Sequence, residues 1–212
     1  MFSTDIDRLR KSLSLNVVQR QILIGSLLGD GYLYPTTSGK YAYFRIAHGP
    51  KQESYVQWKY QFFKNFVLSP PRYQLQSKKR PKLGGYFWFK TIATPEFLRY
   101  RKMFYPEGAK IVPSNIGKFF DSVLSLAIWY MDDGCLNRKA VHLNTQGFSL
   151  SENRLLRDVV KKNFGISCNI GKSGNIGKGH ILYIPTREAK RFLSLVDSYV
   201  RECMPYKTFL TP

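Results

Sequence analysis

Two apolar segments about 100 residues apart end in the same way, and that repetition constrains the fold more tightly than any other feature of the chain. Leu23-Ile24-Gly25-Ser26-Leu27-Leu28-Gly29-Asp30-Gly31 matches Leu126-Ala127-Ile128-Trp129-Tyr130-Met131-Asp132-Asp133-Gly134. Each reads as a helix closing on Asp-Gly. A carboxylate there is electrostatically misplaced, because a helix C-terminus already carries partial negative charge and outward-pointing carbonyls. A hard divalent cation removes the penalty, since carboxylate and carbonyl oxygens are what Mg²⁺ prefers. One such end reads as an exposed turn; two in matching places read as a site. Gly25, Gly29 and Ala127 are small, so the two helices are expected to pack closely, side by side.

The elements around these segments repeat too. Residues 16–29 read as a helix, 41–47 as a strand and 51–67 as an amphipathic helix with Tyr55, Trp58, Phe62, Phe63 and Phe66 inward. Strands follow near 72–77 and 85–92, then a helix opened by Thr94-Pro95-Glu96 and running to about 104. The order returns as a helix over 120–131, a strand over 140–145 and a helix capped by Ser149 or Ser151 that reaches Phe164. Strands near 167–171 and 180–184 flank a Gly-rich turn, and a last helix covers 186–203. A period of this length is a duplicated domain rather than a solenoid unit. The expected division is 1–110 and 111–212, with a linker at about 106–118.

Charge narrows the partner. The 212 residues carry 33 basic and 14 acidic side chains, a net of +19. Residues 1–110 hold a net of +13 and the remainder +6, so both halves are basic. Such an excess calls for a polyanion, either nucleic acid or an anionic membrane surface. No apolar run approaches the roughly 20 residues of a membrane-spanning helix. Cys135, Cys168 and Cys203 are odd in number and far apart, which disfavours a disulfide framework or a zinc site and favours a reducing compartment. Asp5 and Asp7 precede any apolar run, against a secretory signal and an organellar transit peptide. The densest cationic stretch runs from Arg72 to Lys82, with Arg72, Lys78, Lys79, Arg80 and Lys82, next to Tyr73 and the strand Tyr86-Phe87-Trp88-Phe89. Basic side chains beside strands suit a sheet laid against phosphates.

The paired segments resemble the signature helices of the LAGLIDADG homing endonucleases, in the single-chain, two-motif branch encoded within group I introns. Leu68-Ser69-Pro70-Pro71, Leu143-Asn144-Thr145-Gln146 and Met204-Pro205-Tyr206-Lys207 support the resemblance, which runs through nearly the whole chain in order. It implies an α+β fold of two pseudo-symmetric αββαββα domains, whose saddle-shaped antiparallel sheets sit over the DNA major groove. By position it implies that Asp30 and Asp133 bind two or more Mg²⁺ ions, with Mn²⁺ able to substitute. Gly29 and Asp132, which align with each other, are counted with them at the metal site, Asp132 facing outward or standing behind the ligands with no catalytic role. The resemblance also gives Lys110 and Lys207 a place in the active site. Their spacings from Asp30 and Asp133, 80 and 74 residues, are similar. His48 and Gln146 fall where relatives place a polar residue that contacts the attacking water. His48 departs from the usual Gln, and could be a proton acceptor or a plain DNA contact.

Strand alternation nominates the DNA-facing side chains. Tyr41, Tyr43 and Arg45 share one face, with Ala42, Phe44 and Ile46 toward the core. Tyr86, Trp88 and Lys90 are opposite Phe87 and Phe89, and His142 and Asn144 are opposite Val141 and Leu143. Arg45 and Lys90 suit guanine edges and Asn144 adenine. Arg72, Lys78, Lys79, Arg80, Lys82, Arg138, Lys139, Lys172 and Lys178 suit phosphates. The expected activity is site-specific, metal-dependent hydrolysis of a long asymmetric double-stranded DNA target, leaving a staggered break. The expected state is a monomer off the membrane, in the bacterial cytoplasm or an organelle, with its own intron RNA as a further candidate partner. A non-catalytic RNA-binding intron maturase and a DNA-binding regulator on the same fold remain as alternatives.

Overall fold

The computed structural model describes residues 3–77, 79, 82, 84–172 and 179–208. Lys78, Arg80, Lys178 and most of the Gly-rich turn of the second half lie outside the described residues. Helices α1 (Ser3–Ser12) and α2 (Val17–Leu28) precede strands β1 (Tyr32–Pro35) and β2 (Ala42–His48), helix α3 (Glu53–Phe63), strands β3 (Arg72–Leu75) and β4 (Gly85–Lys90), and helix α4 (Pro95–Phe104). Then come α5 (Val123–Asp133), β5 (Gly134–Asn137), β6 (Ala140–Leu143), α6 (Leu150–Phe164), β7 (Asn169–Lys172), β8 (His180–Ile184) and α7 (Thr186–Cys203). From α2 and from α5 onward, the order is αββαββα both times. Each half holds a four-stranded antiparallel sheet, ordered β1-β2-β4-β3 and β5-β6-β8-β7.

The chain forms two compact units, residues 1–20 with 30–106, and 21–29 with 107–212. Most of α2 therefore packs with the second unit. The reason is the small-residue spacing. A Cβ on Gly25 would meet the Ser125 carbonyl oxygen at 2.4 Å and the Ile128 Cβ at 2.7 Å, and one on Gly29 would meet the Asp132 Cβ at 2.4 Å.

Local signals set the helix limits. Asn16 and Gln19 exchange side-chain and backbone hydrogen bonds at 2.8 and 2.9 Å, a capping box that opens α2. Thr94 accepts from the Phe97 amide to open α4. Ser149, not Ser151, caps α6, in a reciprocal pair with Glu152. Ser122 caps α5, so that helix starts later than 120 and continues through both aspartates. Helix 51–67 is shorter than its periodicity suggests. A 3₁₀ turn carrying Pro50 precedes α3, and another over Lys64–Phe66 follows it. Its buried line is Tyr55, Val56, Lys59 and Phe63, with Trp58 and Phe62 at the margin. Strands β1 and β5 are implied by the αββαββα resemblance but not located by periodicity, and helix α1 has no counterpart in the sequence reading.

The first unit buries Ala42, Phe44, Ile46 and Phe89 from its sheet against Phe63, Phe66 and Phe97. Phe44 lies 5.6 Å from Phe63, centroid to centroid, and Phe66 5.5 Å from Phe97. The second unit packs Val141, Leu143, Leu182 and Ile184 over α6 and α7, with Tyr130 edge-on to Phe192 at 5.2 Å. Among the described residues no helix is long and apolar enough to cross a membrane.

Two core phenols carry a pH dependence. Burial pushes both Tyr105 and Tyr130 far above the ordinary tyrosine range. The fold favours their neutral form, so this contribution to stability is complete below about pH 10 and is lost as pH rises toward the raised values. The urea midpoint is expected to fall above about pH 10, and phenolate absorbance from these two rings should appear only with unfolding. Their ionisation while near-ultraviolet circular dichroism stayed native would contradict this.

Candidate active site and nucleic-acid interface

The two signature ends differ in detail. Asp30 lies just past Gly29 with its side chain 51% exposed, and its Oδ2 is 3.8 Å from Nδ1 of the almost fully buried His48. Asp133 is the last residue of α5 and is partly exposed. Asp132 is only 9% exposed. The outward-facing alternative for it is therefore corrected. The close approach of α2 at Gly29 covers it, since its Cβ and carboxylate occupy the space that a Gly29 side chain would need.

Lysines sit on both ends. Lys110 Nζ donates to the Gly29 carbonyl at 2.7 Å. Lys207 Nζ donates to the carbonyls of Met131 at 2.6 Å, Gly134 at 2.8 Å and Tyr130 at 3.4 Å. Tyr130 in return donates its hydroxyl to the Lys207 carbonyl at 2.5 Å, which pins the turn that carries the lysine. The helix-end penalty is thus met in part without metal, contrary to the expectation from sequence. Bound ions are not the sole relief for these termini, because an ammonium group already meets the carbonyls of each. The Gly29 carbonyl, nominated for a metal, is engaged by Lys110. The carboxylates of Asp30 and Asp133 remain the oxygen donors best suited to a cation.

The outer face of the first sheet is built from cations laid on aromatic rings. The Arg45 guanidinium carbon is 4.9 Å from the Trp88 ring centroid and 5.6 Å from that of Tyr86, and Arg45 Nη2 donates to the Tyr86 hydroxyl at 3.1 Å. Arg72 covers Trp88 at 4.4 Å, and Lys90 lies 5.3 Å from Tyr43. Each contact contributes about 0.5–1 kcal/mol at an exposed site and holds a flexible side chain ready for a phosphate or a base. A cleft of about 380 Å³ opens on this face, with Asp30, His48, Arg45 and Tyr86 in its lining. Tyr41 falls just outside β2, where Arg10 covers its ring at 4.9 Å. Lys79 and Lys82 are exposed.

In the second sheet His142 lies edge-on to Tyr183 at 5.6 Å. Arg138, Lys139, Asn144 and Lys172 are exposed, and Arg138 takes a left-handed turn conformation at φ 57°. Gln146 is exposed beyond β6. The structure adds Tyr34 to the first face, stacked on Tyr43 at 5.3 Å and 12°. The alternation Tyr32-Leu33-Tyr34 directly after Asp-Gly is the signal that would have found it.

Comparison with known proteins bears on this arrangement directly. The sequence profile of the LAGLIDADG DNA endonuclease family matches residues 20–192. The chain belongs to that family. Among its LAGLIDADG relatives is a probable intron-encoded endonuclease 1 of Wickerhamomyces canadensis. It is 28% identical over 204 residues, which cover 92% of this chain and 85% of the relative. Protein RecA of Mycobacterium gastri is 32% identical over 204 residues, covering 89% of this chain, and the match spans about half of that relative, 46%. The solved structure of the homing endonuclease I-WcaI bound to its DNA recognition sequence aligns at a TM-score of 0.86 and 26% identity, over 99% of this chain and 94% of that one. The two-sheet LAGLIDADG architecture that the resemblance implied is therefore present, with the two matching Asp-Gly segments closing α2 and α5.

Proposed function

We propose that this LAGLIDADG chain is a site-specific homing endonuclease that hydrolyses a long, asymmetric double-stranded DNA target to a staggered break. The observation that carries the reading is that each Asp-Gly helix end seats a lysine on its carbonyls, Lys110 on Gly29 and Lys207 on Met131 and Gly134. Structural economy alone does not call for that pairing twice.

The donor set suits a hard cation. No group of three or more His, Cys, Asp or Glu side chains is assembled among the described residues, which disfavours a closed zinc-type site. Mg²⁺ fits well, because it commonly binds through one or two carboxylates and completes its shell with water and substrate phosphate. Asp30 and Asp133 would hold the ions, and when bound these supply an activated water and neutralise charge at the phosphorus. Lys110 and Lys207 offset the helix-end potential that would otherwise repel the phosphate backbone. His48 and Gln146 orient water in the first and second halves. Arg45, Lys90 and Asn144 read base edges, while Arg72, Lys79, Lys82, Arg138, Lys139 and Lys172 grip phosphates. Support for metal use comes from a variant of I-DmoI, crystallised with its nicked target DNA in the presence of Mn. This chain shares its fold at a TM-score of 0.56 and 12% identity. We place the protein, as a monomer, in a reducing compartment.

Purified protein incubated with Mg²⁺ and a plasmid library of candidate sites is expected to linearise one plasmid class, and to leave it intact when EDTA replaces the metal. Absence of cutting in every class would remove the proposal. The intron-maturase reading has one observation in its favour. Cytochrome b mRNA maturase bI2 of Debaryomyces hansenii is 25% identical over 207 residues. That reading predicts splicing activity that survives loss of both aspartates.

A further inference from the structure

His48 faces Asp30 from within the fold, and its support can be followed into the core. The residue is 5% exposed, and its ring packs at 5.0 Å and 48° against Tyr55, which is 0% exposed. On the same helix, one turn on, Lys59 sets its ammonium 4.2 Å from the Tyr55 ring centroid. Lys59 is 1% exposed. Lysine is almost never buried to that degree unless it is paired, because taking an ammonium group out of water is costly. A line of contacts thus runs from the half-exposed carboxylate through imidazole and phenol to a buried cation, all within the first unit.

The second half carries the same device in different chemistry. Asn153 follows Gln146 by seven residues, as Tyr55 follows His48. It too is 0% exposed. Its side chain accepts from the Thr145 hydroxyl at 2.5 Å and donates to the carbonyls of Thr145, Phe148 and Ser149. In both halves, then, one fully buried polar side chain on the following helix underpins the strand end that presents His48 or Gln146. The position matching Lys59 is Arg157, which lies at the surface beside Asp158. Among the described residues, the matching position of the second half therefore carries no buried cation.

We propose that Tyr55 and Lys59 are positioning residues that hold the His48 imidazole toward Asp30 and thereby set the cleavage rate of the first half. The cation over the ring fixes the phenol, and the phenol fixes the imidazole. A displacement of about 1 Å at a reacting group can cost about a hundredfold in rate, so support at this depth matters. The inference rests on the nuclease reading above.

The test uses the full chain, a plasmid carrying its site, Mg²⁺, and quantification of nicked and linear product under single turnover. Lys59→Met and Tyr55→Leu are each expected to slow cleavage about tenfold or more, with DNA affinity in EDTA within about twofold. Nicked plasmid should accumulate, because one half is impaired. In a His48→Ala background the same two substitutions should cost less than about twofold further, since they act through that ring. Equal losses with and without His48, or equal slowing of both strands, would show a merely structural role and overturn the proposal. If Lys59→Met does not fold, Tyr55→Leu carries the same comparison. A readout independent of activity separates this inference from the nuclease reading. The His48 ring-proton resonance should shift in Lys59→Met while those of His142 and His180 stay in place. An unmoved His48 resonance overturns the positioning role even if the wild type cuts, and a shifted one supports it even if the wild type does not.

Discussion

Asp133→Asn is expected to lower the DNA cleavage rate by about 10²- to 10³-fold or more while DNA affinity stays within about threefold, and Asp30→Asn is expected to do the same. The substitution keeps the shape of the side chain and removes the charge that a hard cation requires. Binding is carried elsewhere. On the proposed function, the phosphates are met by the cation-on-ring surface of the first sheet and by the exposed Arg138, Lys139 and Lys172 of the second, and none of these depends on either carboxylate. Removing a negative charge beside a polyanion can only help attachment, so any change in affinity should be toward tighter binding. Gel shifts in EDTA and single-turnover cleavage in Mg²⁺ measure the two quantities separately. A parallel loss of binding and cutting would refute the division between sheet and helix ends.

The second large effect is structural. Gly25→Ala is expected to destabilise the fold by about 3 kcal/mol or more, although alanine is the better helix former by roughly 1 kcal/mol. The propensity gain loses because the new methyl would lie 2.4 Å from the Ser125 carbonyl oxygen, a backbone atom that cannot rotate away, and 2.7 Å from the Ile128 Cβ. Shortening Ile128 to Ala in the same chain should recover little, since the carbonyl contact persists. Urea denaturation followed by circular dichroism checks this. A midpoint within error of wild type would mean that α2 can move away from α5 at no cost.

Much of this architecture is written in local patterns. The duplicated apolar segments and their Asp-Gly endings give two halves, and alternation along β2 separates Phe44 and Ile46 from Tyr43 and Arg45, as found. Caps at Thr94 and Ser149 are readable because a side chain and an amide three residues on suffice to make them. Strands β1 and β5 escape such reading. Each has four residues and gains its identity from a partner strand, Tyr32 opposite Arg45 and Gly134 opposite Leu143. The Arg45, Arg72 and Trp88 stack escapes it as well, because its members lie on three strands.

The amino-acid sequence by itself determined the repeat, the acidic helix ends, the apolar faces and the basic character of both halves. All of these follow from spacing within a few residues or from composition. Only the tertiary structure decided that Lys110 reaches Gly29 across 81 positions, that Lys207 reaches Met131 across 76, that Asp132 is covered rather than outward, and that a buried lysine stands behind His48. Periodicity states which side of an element avoids water. Which distant group meets it there is settled when the chain closes, since contacts between residues far apart in sequence depend on how every intervening element packs.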